Sequence, residues 1–148
     1  MINITKITLL AIFMIFPITE FNFSMNDSDE SLATINVRIE KDSNDVWRVR
    51  DLNGNSQGAL QASSNDRVQW QYRGRGNAIF SFSEDVADYF EFEEGMFEDG
   101  RTQAVGRNEN LRVTIKDTAP RGELIYEVFI ARENRYVQGN SAPRLIIR

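Results

Sequence analysis

Apolar and polar residues alternate along most of the chain after residue 33, a period of two that is typical of β-strands with one buried face. Turn-forming stretches such as Asn53-Gly54-Asn55 and Ser64-Asn65-Asp66 separate the runs. Such short runs, about ten residues apart, predict an all-β, antiparallel Greek-key β-sandwich. A helical turn is predicted only within Asp85–Phe92. The residues expected to face the core are Ile35, Val37, Ile39, Trp47, Val49, Val68, Trp70, Tyr72, Phe80, Phe82, Leu111, Val113, Ile115, Tyr126, Val128, Ile130, Leu145 and Ile147.

The N-terminus has a different pattern. A lone Lys6 precedes the apolar run Ile7–Phe16, which is typical of a secretory signal and shorter than the span of about 20 residues that crosses a membrane. Small residues for cleavage are scarce, with Ser24 the best placed, so an uncleaved anchor or a core element stays open. We predict a signal peptide over residues 1–24, a polar spacer over 25–33, one sandwich domain over 34–148, and an extracytoplasmic location, secreted or periplasmic.

Composition excludes several classes of site. The chain has no histidine and no cysteine, so it lacks the usual ligands for copper, zinc, haem and iron–sulfur clusters. It also lacks the bases and thiols of the common nucleophilic triads. The net charge of −5 argues against nucleic acid as a partner. We therefore expect no metal and no cofactor.

Residues 34–148 resemble the cupredoxins, small copper-binding β-sandwiches, in the order of four motifs. The family's Gly-Asp-x-Val-x-Trp strand is similar to Asn65–Trp70, and its His-x-Phe-x-Phe strand is similar to Ala78–Phe82. Its Gly-x-x-x-Tyr strand that leads to a Cys is similar to Gly122–Ile130, and its closing strand to Pro143–Ile147. The resemblance implies the sandwich fold.

The copper ligands that this resemblance would imply are absent. The upstream His position falls near Ala78, and the Cys position falls near Ile130. The loop at 131–139 holds neither His nor Met, and only Gln138 is similar to a weak axial ligand. We therefore expect a cupredoxin-like sandwich without a type I copper site.

The segment Glu84–Asp99 is unusually acidic, with aromatic residues interleaved. It fits a calcium site, a recognition loop, or a solvated connection whose aromatic residues cap the core. The recognition candidates here are Glu91, Glu93, Glu94, Asp99 and Tyr89. We expect the negative charge to be offset mainly by the protein's own arginines, with a basic partner or a cation as alternatives. The carboxylates are Glu84, Asp85, Asp88, Glu91, Glu93, Glu94, Glu98 and Asp99, and the arginines considered are Arg73, Arg75, Arg101 and Arg107.

Two further features suggest binding. Arg73 and Arg75 flank Gly74 in a glycine-rich loop, an arrangement that suits a phosphate or carboxylate, or else forms an exposed hairpin turn. Trp47, Trp70 and Tyr72 would stack on sugar rings if exposed, but their alternating runs favour burial.

These features favour a non-catalytic protein that binds an unknown protein or glycan ligand. A structural, envelope-associated module and a carboxylate-based enzyme are the alternatives. We expect membrane contact only through the N-terminal segment, if it is uncleaved. A deep cleft with two facing carboxylates would favour the enzyme.

The first prediction concerns processing. We expect the mature protein to begin between about residues 20 and 30 and to accumulate outside the cytoplasm, because the N-terminus has the charged and apolar regions of a secretory signal. N-terminal sequencing and intact mass measure the cleavage point. Full-length protein in the soluble cytoplasm of its native host would contradict the assignment.

Overall fold

Short strands account for nearly all the regular structure in the computed structural model of this chain, which describes residues 32–55, 58–138 and 142–148. The predicted signal segment and most of the spacer lie outside the described residues. The strands are β1 (Thr34–Lys41), β2 (Trp47–Asp51), β3 (Ala59–Ala62), β4 (Arg67–Tyr72), β5 (Ala78–Phe82), β6 (Phe90–Glu91), β7 (Thr102–Val105), β8 (Asn110–Ile115), β9 (Gly122–Ile130), β10 (Arg135–Tyr136) and β11 (Arg144–Ile147). Within the described part of the chain, no helix is long and apolar enough to span a membrane.

The strands form two sheets. The first has the order β2-β1-β4-β8-β6, and the second has the order β3-β11-β9-β5-β7, with β10 paired to β9. Among the described strand pairs, β1 with β4 and β3 with β11 are parallel, and the others are antiparallel. The predicted sandwich is confirmed. The parallel pairs arise where the chain leaves one sheet for the other and later returns beside an earlier strand.

Alternation decides which side chains enter the core, as the sequence pattern predicted. All the residues expected to face the core are buried except Ile35, which is partly buried against it. The short strands β3, β6, β7 and β10 were not predicted, because each carries too few alternating apolar residues to stand out. The expected helical turn is only a short 3-10 turn, Val86–Asp88, and β6 follows it.

A cluster of aromatic rings joins the two sheets at the centre of the core. Trp70 of the first sheet has no exposed surface, and its ring centroid lies 5.7 Å from that of Tyr126 in the second sheet. The Trp70 Nε1–H donates a hydrogen bond to the Tyr126 hydroxyl at 3.2 Å. Burial raises the pKa of the Tyr126 phenol, so this hydroxyl stays neutral. The burial of Trp70 leaves no face for stacking on a sugar.

The second prediction tests this cluster. Trp70→Ala should lower the free energy of unfolding by about 3–5 kcal/mol, because it leaves a cavity and an unpaired hydroxyl in the core. Tyr126→Phe should cost about 1–3 kcal/mol, because it leaves the indole N–H unsatisfied while keeping the ring. Urea unfolding of each variant measures both costs. A loss below about 1 kcal/mol for Trp70→Ala would place the ring outside the core.

Candidate functional site

A pocket of about 400 Å³ lies at the end of the sandwich where β1 and β4 stop and the chain turns after β9. Four cationic side chains and one carboxylate line it, together with an indole ring and a glycine. The lining residues are Lys41, Trp47, Arg73, Gly74, Arg75, Arg132 and Glu133. We call this the cationic pocket.

Aromatic packing shapes one side of the cationic pocket. The rings of Trp47 and Tyr72 lie 5.5 Å apart, and the Tyr72 hydroxyl donates a hydrogen bond to the Arg75 carbonyl oxygen at 3.0 Å. Gly74 fits against both rings only because it has no side chain. A Cβ there would lie 2.2 Å from the Tyr72 hydroxyl and 2.4 Å from the Trp47 ring. The arginine loop is therefore seated on a buried, well-packed base.

The turn after β9 brings Arg132 to the same place. The Ala131 N–H donates to the Asn77 carbonyl oxygen at 3.0 Å, which ties the turn to the arginine loop. A Cβ added to Gly76 would lie 3.3 Å from the Cβ of Arg132. Residues almost sixty positions apart thus share one wall of the cationic pocket.

Glu133 is held by two donors. The Trp47 Nε1–H donates to its Oε2 at 2.9 Å, and the Lys41 ammonium lies 3.0 Å from its Oε1. These contacts, the Trp47 hydrogen bond first and Lys41 second, lower the pKa of Glu133. Lys41 also pairs with Asp45 at 2.8 Å, and the hydrogen bonds that Lys41 donates to Asp45 and then to Glu133 raise the pKa of Lys41. The carboxylate of Glu133 is therefore ionised, and both of its oxygens already have a partner within the protein.

The three arginines of the cationic pocket have no carboxylate paired with them among the described residues. Within the described residues, none of Arg73, Arg75 and Arg132 forms a salt bridge or donates a side-chain hydrogen bond; the ion pairs found there involve other cations. Three arginines thus line one pocket without a side-chain partner among the described residues. Of these residues, the sequence pattern pointed to Arg73 and Arg75, considered Trp47 only as a ring that would stack on a sugar if exposed, and missed Lys41, Arg132 and Glu133.

The acidic recognition candidates are spread over β6 and the turns after it, and Glu91 and Glu93 line one pocket of about 410 Å³ together with Arg67 and Arg112. Glu91 lies on β6, while Glu93 and Glu94 are exposed in the following turn. Asp99 caps a turn, because its Oδ1 accepts from the backbone N–H groups of Arg101 at 2.9 Å and Thr102 at 2.5 Å. Among the residues that the structure describes, no group of three carboxylates is arranged to hold a metal ion.

The aromatic residues of the acidic segment pack inward. Phe90 and Phe97 are buried, and Tyr89, Phe92 and Met96 pack partly against the core. Phe92 and Phe97 have ring centroids 5.0 Å apart. The structure therefore matches the expectation of a solvated connection whose aromatic residues cap the sandwich.

The expected pairing of this segment with Arg73, Arg75, Arg101 and Arg107 does not take the form of direct ion pairs among the described residues, although Arg67 and Arg112 lie in the same pocket as Glu91 and Glu93. Across the described ranges, no ion pair includes a carboxylate of Glu84–Asp99. Topology supplies the reason for Arg73 and Arg75, since they precede β5 and the acidic segment follows it. A strand of five residues separates the two ends by about 17 Å.

The positions of the implied copper ligands hold apolar residues. Ala78 and Ile130 are directly opposite each other on β5 and β9, and both are fully buried. Val137 of the following loop is also buried, and the backbone N–H of Gln138 donates to the Trp47 carbonyl oxygen at 2.9 Å. Copper of the type I class needs imidazole and thiolate ligands, so these residues do not fit it.

Solved structures similar to this chain include copper proteins with the cupredoxin fold. A reduced Cu(I) form of an amicyanin variant is 12% identical, with 78% of this chain and 82% of that chain covered and a TM-score of 0.42. The McoA multicopper oxidase from Aquifex aeolicus is 10% identical, with 80% of this chain and 30% of that chain covered and a TM-score of 0.47. No protein-family model and no curated protein matches the sequence. The predicted resemblance is confirmed for the fold alone, and no residue role follows from it.

The third prediction concerns acid. The pKa of Glu133 is lowered in the folded protein. Its contribution to stability is therefore present above the unfolded pKa of about 4.3 and is lost as pH falls through the folded value. We expect the native protein to lose more stability than Glu133→Gln between about pH 7 and about pH 3.

Urea unfolding across this pH range measures the difference. Asp42 and Asp99 also have lowered pKa values and weaken both proteins equally, so subtracting the two profiles isolates Glu133. Parallel profiles for the native protein and Glu133→Gln would show that the contacts of Glu133 with Trp47 and Lys41 are not maintained in solution.

Proposed function

We propose that this chain is an extracytoplasmic, non-catalytic β-sandwich module that binds an anionic ligand in the cationic pocket. The observation that carries the proposal is the convergence of Arg73, Arg75 and Arg132 on one space without ion pairs among the described residues. Guanidinium groups bind carboxylate, sulfate and phosphate through paired, charge-assisted hydrogen bonds. An oxyanion is therefore the ligand that complements this pocket.

Electrostatics supports a ligand rather than a passive surface. Clustered like charges repel one another and cost stability, and such local costs are expected at functional sites. The cluster is also opposite in sign to the net charge of −5. Because Gly74 is packed against Trp47 and Tyr72, the loop has little freedom to spread its charges apart. A bound anion would offset the repulsion.

The chemistry of the lining supports binding without catalysis. Glu133 is the carboxylate of the pocket, and both of its oxygens are engaged by Trp47 and Lys41. Its lowered pKa makes it a weak base at neutral pH. The extracytoplasmic part of the proposal is supported by the charged and apolar pattern before residue 25.

The fourth prediction tests the pocket with citrate and pyrophosphate as probes. Both should raise the melting temperature of the native protein, because a ligand that binds only the folded state stabilises it by mass action. Arg73→Gln with Arg75→Gln should weaken the apparent affinity by about tenfold or more, since each charge-assisted hydrogen bond contributes about 1.5–3 kcal/mol.

The matched control is Arg101→Gln with Arg107→Gln, which removes the same charge from exposed arginines outside the cationic pocket. This control should bind both probes within about twofold of the native protein at equal ionic strength. If both double variants lost the same amount of probe affinity, the loss would be explained by the change in net charge and not by the cationic pocket. No binding of either probe by the native protein would contradict the proposal and favour a structural module.

A further inference from the structure

One edge of the first sheet is covered over only part of its length. The outermost strand there is β6, and it pairs with Thr114 and Ile115 at the end of β8. The chain then turns away from the sheet, with the Met96 N–H donating to the Glu93 carbonyl oxygen at 3.2 Å. Among the described strands, none lies beside residues 110–113 of β8 on this side. We call residues 110–113 the open stretch.

Backbone hydrogen bonds show which peptide groups of β8 point to this side, because successive residues of a strand bond to opposite neighbours. The Ile115 N–H donates to the carbonyl oxygen of Asp66, just before β4, at 2.9 Å. The next N–H, that of Lys116, donates to the carbonyl oxygen of Tyr89, just before β6, at 2.9 Å. Odd-numbered residues of β8 therefore bond toward β4, and even-numbered residues point toward the side of β6.

Asn110 and Arg112 are the even-numbered residues of the open stretch, so their peptide groups face away from β4. Within the described residues, neither has a backbone partner on this side. Each contributes one N–H donor and one carbonyl acceptor, and the two sets lie about 6.8 Å apart along the strand. A second β-strand presents complementary groups at the same spacing.

The nearby edge strand β7 has its outward peptide groups occupied instead. The Asp99 Oδ1 accepts from the Thr102 N–H at 2.5 Å, and the Gln103 side-chain amide donates to the Ala104 carbonyl oxygen at 3.0 Å. Proteins commonly shield sheet edges, because unpaired backbone groups accept strands from other chains. The side chains around β7 provide such a shield, and the open stretch of β8 lacks one within the described part of the chain.

A cavity of about 350 Å³ borders the open stretch. It is lined by residues 108–112, by residues 103–105 of β7 and by Met96. This volume lies within the range of ligand-binding clefts. We call this cavity the edge slot. The unpaired backbone groups of β8 therefore lie next to a space that can admit part of a peptide.

Strand alternation defines the side chains of a peptide that would lie beside the open stretch. Leu111 is buried and Arg112 is exposed, and residues level with each other on adjacent strands point to the same face of a sheet. A peptide residue level with Leu111 would enter the edge slot, where Met96 and Val105 contribute apolar surface. Its two neighbours would point to solvent.

Charge does not select the peptide. On the solvent side, Arg67, Arg112, Glu91 and Glu93 line one cavity, so groups of either sign find a partner there. In the edge slot, the carboxylate of Glu109 already accepts from the backbone N–H of residue 106 at 2.7 Å. Recognition therefore depends on backbone hydrogen bonds and on one apolar side chain.

We infer that the open stretch binds an extended peptide segment of a partner protein, which adds as a strand antiparallel to β8 and inserts one apolar side chain into the edge slot. Strand addition to a free sheet edge is an established mode of peptide recognition. The antiparallel direction follows from β6, whose line the peptide would continue.

The length of the open stretch favours a free segment over a second copy of this chain. It is bounded by β6 at one end and by the turn at 106–109 at the other, so it accommodates about four residues and not the edge of a second folded sheet. The inference goes beyond the anionic ligand proposed for the cationic pocket and does not depend on it.

The fifth prediction uses the full chain and the end-capped peptide Thr-Thr-Leu-Thr-Thr, followed by NMR. In the free protein, the amide hydrogens of Leu111 and Val113 should exchange slowly and that of Arg112 quickly, because only the first two bond to β4. Saturating peptide should slow exchange at Arg112. Replacing the central leucine of the peptide with aspartate should weaken binding about tenfold or more, because a charge would enter an apolar space.

Methylated peptides provide matched controls for the backbone contacts. N-methylation of the second and fourth peptide residues removes the donors that face β8 and should weaken binding about tenfold or more. N-methylation of the third residue removes a donor that faces solvent and should leave binding within about threefold. These controls need no change in the protein.

Two variants test the same contact from the protein side. Arg112→Pro removes the outward N–H, which a strand tolerates on an unpaired edge, and should weaken binding about tenfold or more. Arg112→Ala keeps this N–H and should bind within about threefold of the native protein. Both variants lose the hydrogen bond from Arg112 to Gln69, so their difference isolates the backbone donor. Melting temperatures check that both are folded.

Several results would overturn the inference. Slow exchange at Arg112 in the free protein would show that the edge is already paired. Equal binding of the two kinds of methylated peptide, or no binding of the leucine peptide at millimolar concentration, would exclude strand addition. A native dimer that Arg112→Pro abolishes and Arg112→Ala retains would assign the open stretch to a second copy of the chain.

Discussion

The hydrogen bond from the Trp70 indole to the Tyr126 hydroxyl joins the two sheets inside the core, and the rest of the structure is arranged around it. Both groups are buried, so each needs the other to satisfy a polar atom away from water. The bond fixes how the first sheet lies over the second. Phe80 and Phe82 pack against the same indole ring, with centroids 6.0 and 6.1 Å away. The strand ends that carry the cationic pocket are positioned by this central packing.

The end of the sandwich beyond this cluster is closed by apolar side chains and then surrounded by charge. Ala78 and Ile130 face each other in the core where the resemblance to cupredoxins would imply copper ligands. At the same end, Trp47 and Lys41 contact Glu133 through its two carboxylate oxygens. Arg73, Arg75 and Arg132 line the cationic pocket there. The loops at this end thus form a packed cluster, and the arginines on it are the basis for the anionic ligand that we propose.

The net charge of −5 gives no indication of how charge is distributed over the surface. Carboxylates are concentrated in Glu84–Asp99, and Arg73, Arg75 and Arg132 line the cationic pocket, whereas the outward side of the first sheet carries both signs, with Glu91 and Glu93 in one pocket with Arg67 and Arg112. Total charge predicts poor binding of nucleic acid, but it says nothing about which face meets which partner. Arg48 illustrates the point, because it lies opposite Glu40 on the neighbouring strand.

The sequence by itself determined the strands with long alternating runs, including β4 and β9, because a period of two specifies a strand with one buried face. It also determined that type I copper does not fit, since the ligand chemistry is missing from the composition. Tertiary structure alone decided that Arg132 and Glu133 meet Arg73 and Lys41, that the acidic segment lies apart from the arginine loop, and that short strands such as β3 complete the sheets. These outcomes depend on contacts between residues far apart in the chain, and no local pattern encodes which distant strand ends will meet.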